Sequence, residues 1–196
     1  GARETKIKSV VLGTSFSAGT LLGLSICTFC VLFASSISSA IGLTGETERF
    51  STEYLRHLGY AGLPLALSPI VDASFIAMGR TRLVMGLHAT STALNLALNY
   101  LLIYELGMGI AGAAWASGIS RAVVLIPGII TLLRIVSISS DDLIPSREIL
   151  RVQRVGLPIA LNTAAYALVY WGLLRWVISP LGPEVNASLG IGSSAL

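Results

Sequence analysis

Long apolar runs recur along the whole of this chain and constrain its fold more than any other feature. Five of them, named spans A to E here, cover about residues 9–41, 56–79, 83–104, 108–133 and 155–179. Each reaches the roughly 20 residues that a helix needs to cross a bilayer. Only 12% of the residues are charged, against about 25% in soluble domains. The sequence therefore predicts an all-α, polytopic transmembrane helix bundle.

One long polar stretch, SISSDDLIPSREILRVQR, divides the chain into unequal parts. Residues 1–134 hold spans A to D, residues 135–154 form a linker, and residues 155–196 hold span E and the start of a truncated span near 185. The linker begins with a Ser-rich segment and Pro145, which predict a loop, and REILRVQR then predicts a short amphipathic helix on the membrane surface. The chain starts without Met and stops inside an apolar run, so we expect a fragment of a longer protein.

The charges between the spans predict how the chain is oriented. Basic residues are in excess before span A, in the turn at 80–82 and, when Arg134 at the end of span D is counted, in the linker. Acidic residues are in excess in the connection at 42–55, and Glu105 is the charged residue between spans C and D. Basic loops face the cytoplasm, so this alternation predicts a cytoplasmic N-terminus and a cytoplasmic linker. We expect a multi-pass protein of the plasma (inner) membrane.

The motifs of several other protein classes are absent from the sequence. It has no glycine-rich phosphate loop, HExxH zinc motif or GxSxG nucleophile elbow, and Asp72 is the only acid inside a span. Cys27 and Cys30 form a CxxC inside an apolar run without a second pair, which favours packing over metal binding. The Lys and Arg clusters lack the interleaved aromatics typical of nucleic-acid binding. We therefore predict a non-enzyme without a cofactor, which contacts membrane lipid and no nucleic acid.

Span C carries two amides within the apolar stretch ALNLALNYLLIY. Asn95 and Asn99 are four residues apart and so lie on one helical face. A polar group in the bilayer needs a partner within the protein. The two amides can act as interhelical glue, worth about 0.6 to 2 kcal/mol per contact, or they can line a transport pathway. The spacing leaves both interpretations open.

Span D begins GMGIAGAAWASGISR, and its small residues predict close packing against span C. Ser117 would then lie near the two amides. Arg121 should face an aqueous cavity or an acid, because an Arg near the middle of a span costs about 2.5 to 3.5 kcal/mol on insertion. An ion pair with Asp72 of span B is one such arrangement. We expect His88 to be solvated at the membrane interface and Arg175 to reach the outer surface from span E.

Three blocks of the sequence, in order, resemble the multidrug and toxic compound extrusion (MATE) family. The first is EYLRHLGYAGLPLALSPIVDASFIAMGRTR, which is similar to that family's fourth helix and the basic turn after it. The second, ALNLALNYLLIYELGMGIAGAAWASGISR, is similar to its fifth and sixth helices. The third, RVGLPIALNTAAYALVYWGLLRWVISPLGPEVNASLGIG, is similar to the start of its second half.

This resemblance implies a partial MATE-like fold, from the third helix to the edge of the eighth, within a transporter of two six-helix lobes. Residues 1–134 would then belong to the N-terminal lobe, 135–154 to a cytoplasmic inter-lobe linker and 155–196 to the C-terminal lobe. The remaining helices of the full-length transporter would be partners of this chain.

The resemblance also implies a cation site. The first lobe of the family holds a cation-binding network, and the residues that match it here are Asn95, Asn99 and Ser117. Many members have Asp where this chain has Asn99, and an amide cannot change its charge, which puts proton carriage at that position in doubt. A Na⁺ site at the two asparagines is the other implied use. In span E, Tyr166 replaces the acid of some sodium-coupled members.

The function that the resemblance implies is an antiporter, a secondary active transporter that exports drugs or small organic cations in exchange for H⁺ or Na⁺. Asp72 and Arg121 would stabilise charges in its cavity. One alternative is a lipid-linked oligosaccharide flippase of the same superfamily, whose cavity should be strongly cationic, and Arg121 and Arg175 favour it. Another alternative is a non-transporting truncated membrane fragment that packs against partners.

Overall fold

The computed structural model describes residues 2–136, Asp142, residues 148–178 and Pro180, and no strand occurs among them. Six α-helices follow one another in the order α1 (Ala2–Ile41), α2 (Gly45–Gly59), α3 (Gly62–Ala77), α4 (Thr81–Asn99), α5 (Gly109–Ile135) and α6 (Glu148–Leu173). A π-helical segment, Tyr100–Glu105, continues α4, and a second, Leu174–Ile178, continues α6. The predicted all-α bundle is confirmed.

Among the described residues, three helices are long and apolar enough to cross a membrane. They cover Ser9–Ile41, Gly109–Ile135 and Gly156–Val177, within α1, α5 and the α6 region. α1 has 40 residues, so at 1.5 Å per residue it is about 60 Å long, twice the roughly 30 Å of the hydrocarbon core. The helix therefore extends well beyond a bilayer, as the length of its apolar run predicts.

Predicted span B, about 56–79, is broken rather than continuous. The structure has two helices here, α2 and α3, which together are apolar enough for one bent span and whose axes differ by 58°. Pro64 is the third residue of α3. In the first turn of a helix the N–H that proline lacks would have no partner, so its absence costs nothing. In an unbroken helix, however, the ring of Pro64 would clash with the carbonyl group four residues earlier. The break therefore falls just before Pro64. Residues 45–55, which we predicted as a connection, are helical.

Predicted span C corresponds to α4 and its π-helical extension, which have 19 and 6 residues. This segment is long enough for a bilayer but is not among the helices that are sufficiently apolar. The reason is a row of polar residues along one face of α4, which lines a cavity described below. Its hydropathy is therefore low on average even though the other faces are apolar.

α5 is the central helix of the bundle, because it packs against α2, α3 and α4. Its small residues allow this packing: a β-carbon added at Gly112 would lie 3.0 Å from the carbonyl group of Leu102, and one at Gly118 would lie 2.8 Å from Ala61. Larger side chains would force these helices apart. The predicted packing of span D against span C is confirmed at Gly112. Phe75 of α3, with no exposed surface, belongs to the apolar core beside α5.

α6 leads away from this core and packs on α1. Its described side chains are mostly exposed. The helix begins at Glu148. Residues 148–154, which we predicted as part of a separate amphipathic helix, therefore form its first turns. The part of the predicted linker at 137–147, apart from Asp142, and the predicted span from 185 lie outside the described residues.

Gly62 offers a test of the contact between α1 and α3. A β-carbon at this position would lie 2.7 Å from the backbone oxygen of Gly23 and 2.9 Å from the backbone nitrogen of Cys27. We expect Gly62→Ala to lower the free energy of unfolding by about 1–3 kcal/mol, because the two backbones must move apart. The measurement is thermal and denaturant unfolding of the detergent-solubilised protein.

Gly86→Ala is the matched control for this prediction. No atom lies within 4 Å of an added β-carbon at Gly86 in α4, and alanine favours a helix over glycine by about 1 kcal/mol. Equal losses of stability in the two variants would contradict the close approach of α3 to α1.

Candidate functional site

A cavity of about 360 Å³ lies between α2, α3, α4 and α5. The polar side chains in its wall include Asp72, His88, Thr92, Asn95, Ser117 and Arg121. The sequence analysis assigned five residues to a cation site or to the charges of a cavity, and four of them line this space: Asp72, Asn95, Ser117 and Arg121. The fifth, Asn99, is not in the wall but is hydrogen-bonded to Asn95.

The two asparagines and Ser117 form a continuous chain of hydrogen bonds. Asn99 Nδ2 donates to Asn95 Oδ1 at 3.1 Å, and Asn95 Nδ2 donates to Ser117 Oγ at 3.4 Å. All three residues are half-buried. The first bond joins neighbouring turns of α4 and the second joins α4 to α5. Asn95 is therefore the centre of an amide network that both ties two helices together and faces the cavity.

Local features of the sequence place this amide network in the cavity wall. The spacing of four residues puts both asparagines on one face of α4. On the facing helix α5, the buried small residues Ala116 and Gly118 flank Ser117 and let its hydroxyl group approach α4. Immediately after Asn99 the chain widens into the π-helix Tyr100–Glu105, and such wider turns are frequent at functional sites.

Asp72 of α3 pairs with His88 of α4, with 3.0 Å between Asp72 Oδ2 and His88 Nε2. The Asp72–Arg121 ion pair that we considered from the sequence is not formed, although both residues are described and line the same cavity. His88 is exposed to solvent, as the sequence analysis expected, but it also has a partner that the sequence analysis did not predict. Its side chain is 58% exposed, yet it contacts the acid of the neighbouring helix.

A symmetry in the sequence would have revealed this pair. Asp72 lies eight residues before Arg80 and His88 lies eight residues after it, and Arg80 is in the turn between α3 and α4. In a helical hairpin, residues equally distant from the turn lie side by side on the two helices. At 1.5 Å per residue, Asp72 and His88 each lie about 12 Å along the helix axis from Arg80.

The two arginines within the predicted spans lie in different places. Arg121 of α5 is exposed and lines the cavity. Arg175, in the π-helix after α6, lies over Gly42, where its guanidinium group would be 2.5 Å from an added β-carbon. Gly42 has a φ of +93° and follows Ile41, the last residue of α1. Arg175 therefore lies at a helix C-terminus, where cations are favoured, and outside the cavity wall.

The arrangement can bind a small cation or a polar ligand. The wall contains one carboxylate, one guanidinium group and one imidazole, so its charges nearly balance. Within the part of the chain that the structure describes, no cluster of His, Cys, Asp or Glu could hold a metal ion. Amide and hydroxyl oxygens instead suit a weakly held hard cation such as Na⁺.

Comparison with known families agrees with this architecture. A family model described as MatE matches residues 1–101, just over half of the chain, including both asparagines of the amide network. The chain belongs to the MATE family. The resemblance drawn from its sequence blocks is thereby confirmed.

Relatives of this MATE-family chain include named exporters and solved transporters. The chain is 27% identical to the multidrug export protein MepA of Staphylococcus saprophyticus, over 97% of this chain and 43% of that protein. It is also similar to a multidrug resistance MATE family transporter of the MOP superfamily in an outward-facing conformation, with a TM-score of 0.79 and 28% identity over 88% of this chain and 40% of the other. For an inward-facing transporter of the same description, the TM-score is 0.64 and the identity 26%, over 79% and 42% of the two chains. This chain spans less than half the length of these relatives, so its fold is part of theirs.

The central position of Asn95 yields a prediction about stability. Asn95→Ala removes both hydrogen bonds of the amide network, whereas Asn99→Ala removes one, so the first variant should be the less stable. In a double-mutant cycle with Ser117→Ala, we expect a coupling energy of about 0.6 kcal/mol between Asn95 and Ser117. The measurement is equilibrium unfolding in mixed detergent micelles.

Leu96→Ala is the control for this cycle, because Leu96 follows Asn95 directly and is 73% exposed. Its coupling to Ser117→Ala should be zero. The bond between α4 and α5 would be contradicted if Asn95 and Ser117 were no more strongly coupled than this control pair.

Proposed function

We propose that this chain works in a secondary active transporter that exports drugs or small organic cations in exchange for H⁺ or Na⁺. The observation that carries the proposal is the amide network of Asn95, Asn99 and Ser117 in the wall of a cavity between membrane helices. The relatedness of the chain to proteins named as multidrug exporters supports the same conclusion. The transported molecule would cross the membrane beside this network.

In this proposal the amide network binds the coupling ion when that ion is Na⁺. Na⁺ would be held by the amide and hydroxyl oxygens of the three side chains. Asn99 cannot itself change charge, so a coupling proton would have to be carried by another group of the cavity. Ion binding would stabilise one conformation of the transporter over another, because the ion has different affinities for the two.

The cavity also has features that suit an organic cation. Its volume, about 360 Å³, is within the range of roughly 300 to 1,000 Å³ that small-molecule sites occupy. Asp72 supplies a carboxylate for the positive charge, and Leu65, Val71 and Leu125 supply apolar surface in the same wall. A flat or bulky apolar body bearing one positive charge is the class of substrate that this combination favours.

The charges of the cavity favour an exporter of cations over the flippase alternative. A lipid-linked pyrophosphate would require a strongly cationic cavity. Here Arg121 shares the wall with Asp72, and Arg175 lies against Gly42, outside the wall. The two arginines that favoured a flippase therefore do not form a joint anion site.

We also propose a location in the plasma (inner) membrane with the turn at 80–82 in the cytoplasm, on the basis of the basic residues in that turn and the positive-inside rule. A cysteine introduced at Thr81, with Cys27 and Cys30 replaced by Ala, should react with a membrane-impermeant maleimide only in everted vesicles. Equal labelling in intact cells would contradict this orientation.

Everted membrane vesicles that contain the natural full-length polypeptide provide the test of function. A fluorescent organic cation is added outside these vesicles, where the cytoplasmic face of the membrane lies, and the lumen holds an excess of H⁺ or, separately, of Na⁺. Export by the protein is then measured as uptake of the dye into the lumen. We expect one gradient to drive transport, and we expect Asn95→Ala combined with Asn99→Ala to reduce that rate about tenfold, equivalent to about 1.4 kcal/mol. The active gradient identifies the coupling ion.

Leu96→Ala is again the matched control, since it changes an exposed neighbour on α4 and should transport at the normal rate. All variants are compared at equal amounts of folded protein, measured by size-exclusion chromatography. If the double Asn variant keeps both its rate and its coupling, the amides serve only as interhelical glue and the proposal fails.

A further inference from the structure

A single face of α4 carries polar residues along most of its length. His88, Thr92, Asn95 and Asn99 follow one another at spacings of four, three and four residues, which place them on one side of a helix. The first three line the cavity and the fourth is bonded to Asn95. At 1.5 Å per residue, His88 and Asn95 are about 10 Å apart along the helix axis. The cavity wall therefore holds two polar sites, the amide network and the Asp72–His88 pair.

The Asp72–His88 pair has a defined chemistry. A carboxylate can only accept hydrogen bonds, so the hydrogen in the 3.0 Å contact belongs to Nε2 of His88. This assignment leaves Nδ1 of the same ring as the atom that can take up a proton. The His88 side chain is 58% exposed and that of Asp72 is 21% exposed. Water can therefore deliver a proton to the imidazole ring while the carboxylate stays largely covered.

Other groups that face the pair do not offer the same chemistry. Arg121 from α5 and Tyr54 from α2 line the cavity beside Asp72 and His88. The guanidinium group of an arginine keeps its charge in proteins. Histidine is the side chain whose charge changes most readily between pH 5 and 8. His88 is therefore the group of this cavity that is best suited to bind and release a proton.

We propose that His88, held by Asp72, is a proton-binding site separate from the amide network. Water delivers a proton to Nδ1, which converts a neutral imidazole beside a carboxylate into an imidazolium–carboxylate pair, and release returns this proton to water. The site is about 12 Å from the turn at 80–82, which we assign to the cytoplasmic side. The role of this site in antiport rests on the proposed function, whereas the binding of a proton by His88 does not.

Proton binding at this site would change how two walls of the cavity are joined. The hydrogen bond between the two groups connects α3 to α4. Protonation of His88 adds the attraction between an imidazolium ion and a carboxylate to this bond, so the protonated pair holds the helical hairpin more tightly than the unprotonated one. A bound proton can thereby favour one conformation of the transporter, which is the requirement for coupling.

The two histidines of the chain, His57 and His88, allow a direct test of proton binding. The full-length polypeptide is labelled with ¹⁵N-histidine in lipid nanodiscs, and the His88 resonances are identified by their loss in His88→Gln. Spectra are recorded between pH 5 and 8. We expect the neutral ring of His88 to carry its hydrogen on Nε2 in the unaltered protein and on both nitrogens in Asp72→Asn, because an amide can donate to Nε2 as well as accept from it. The resonances of His57, on α2 against Trp115, should not change.

The proposal is overturned if the neutral ring of His88 has the same tautomer in Asp72→Asn as in the unaltered protein. It is also overturned if His88 binds no proton anywhere in this pH range. Because Asp72→Asn is nearly isosteric and leaves both helices intact, its size-exclusion profile should match that of the unaltered protein. The NMR comparison then separates loss of the pair from loss of the fold.

Vesicle transport separates this proposal from the proposed function. We expect His88→Gln to reduce export driven by an H⁺ gradient about tenfold, whereas the matched control His57→Gln transports normally. Normal H⁺-driven export in His88→Gln, together with failure of the double Asn variant, would overturn the role of the pair in coupling and leave the exporter standing. Proton binding by His88 together with an Asp72-dependent tautomer, in a protein that exports nothing, would support the proton site and contradict the exporter.

Discussion

The fold of this chain depends on one constraint, which is that polar side chains within a bilayer must find partners inside the protein. α4 carries a histidine, hydroxyl groups and two amides in a span that is otherwise apolar. The histidine is bonded to Asp72 of α3, and the amides are bonded to each other and to Ser117 of α5. α5 can supply this partner because its small residues allow close approach, as at Gly112, where α5 packs at short range on Leu102.

The break in span B explains why the cavity has four helical walls. The break before Pro64 separates α2 from α3 by 58°, so α2 does not simply extend the span below it. α2 is amphipathic and contributes Tyr54 and Leu58 to the cavity, while α3 contributes Asp72. An unbroken helix would place these residues in one line. The bend distributes them over two directions and closes a side of the cavity.

The relatives of the chain include transporters in two conformations. The chain is similar to transporters in both an outward-facing and an inward-facing conformation, with a higher TM-score to the first. α5 packs against α2, α3 and α4 and so joins these helices, whereas α6 has largely exposed side chains and packs on α1. The two polar sites of α4 lie within the part of the bundle that α5 joins.

Much of the site could be predicted from the sequence, because a spacing of four residues fixes Asn95 and Asn99 on one helical face and small residues predict which helix can approach them. The Asp72–Arg121 pair, which the sequence analysis considered as one arrangement, is not the pair that forms. An acid within a span needs a polar partner, but the hydropathy pattern of the span does not identify that partner. The basic residue that we considered, Arg121, lies on α5, outside the α3–α4 hairpin. The geometry of the α3–α4 hairpin decides in favour of His88.

The sequence by itself determined that the chain is a bundle of membrane helices, that it belongs to the MATE family, and which face of α4 is polar, because apolar length and helical spacing are local properties. Only the tertiary structure decided how α3 packs against α1 after the break before Pro64, that residues 148–154 form the start of α6, and that Arg175 lies away from the cavity. These outcomes depend on contacts between residues far apart in the chain, such as Gly62 with Gly23 and Arg175 with Gly42. No local pattern encodes such contacts.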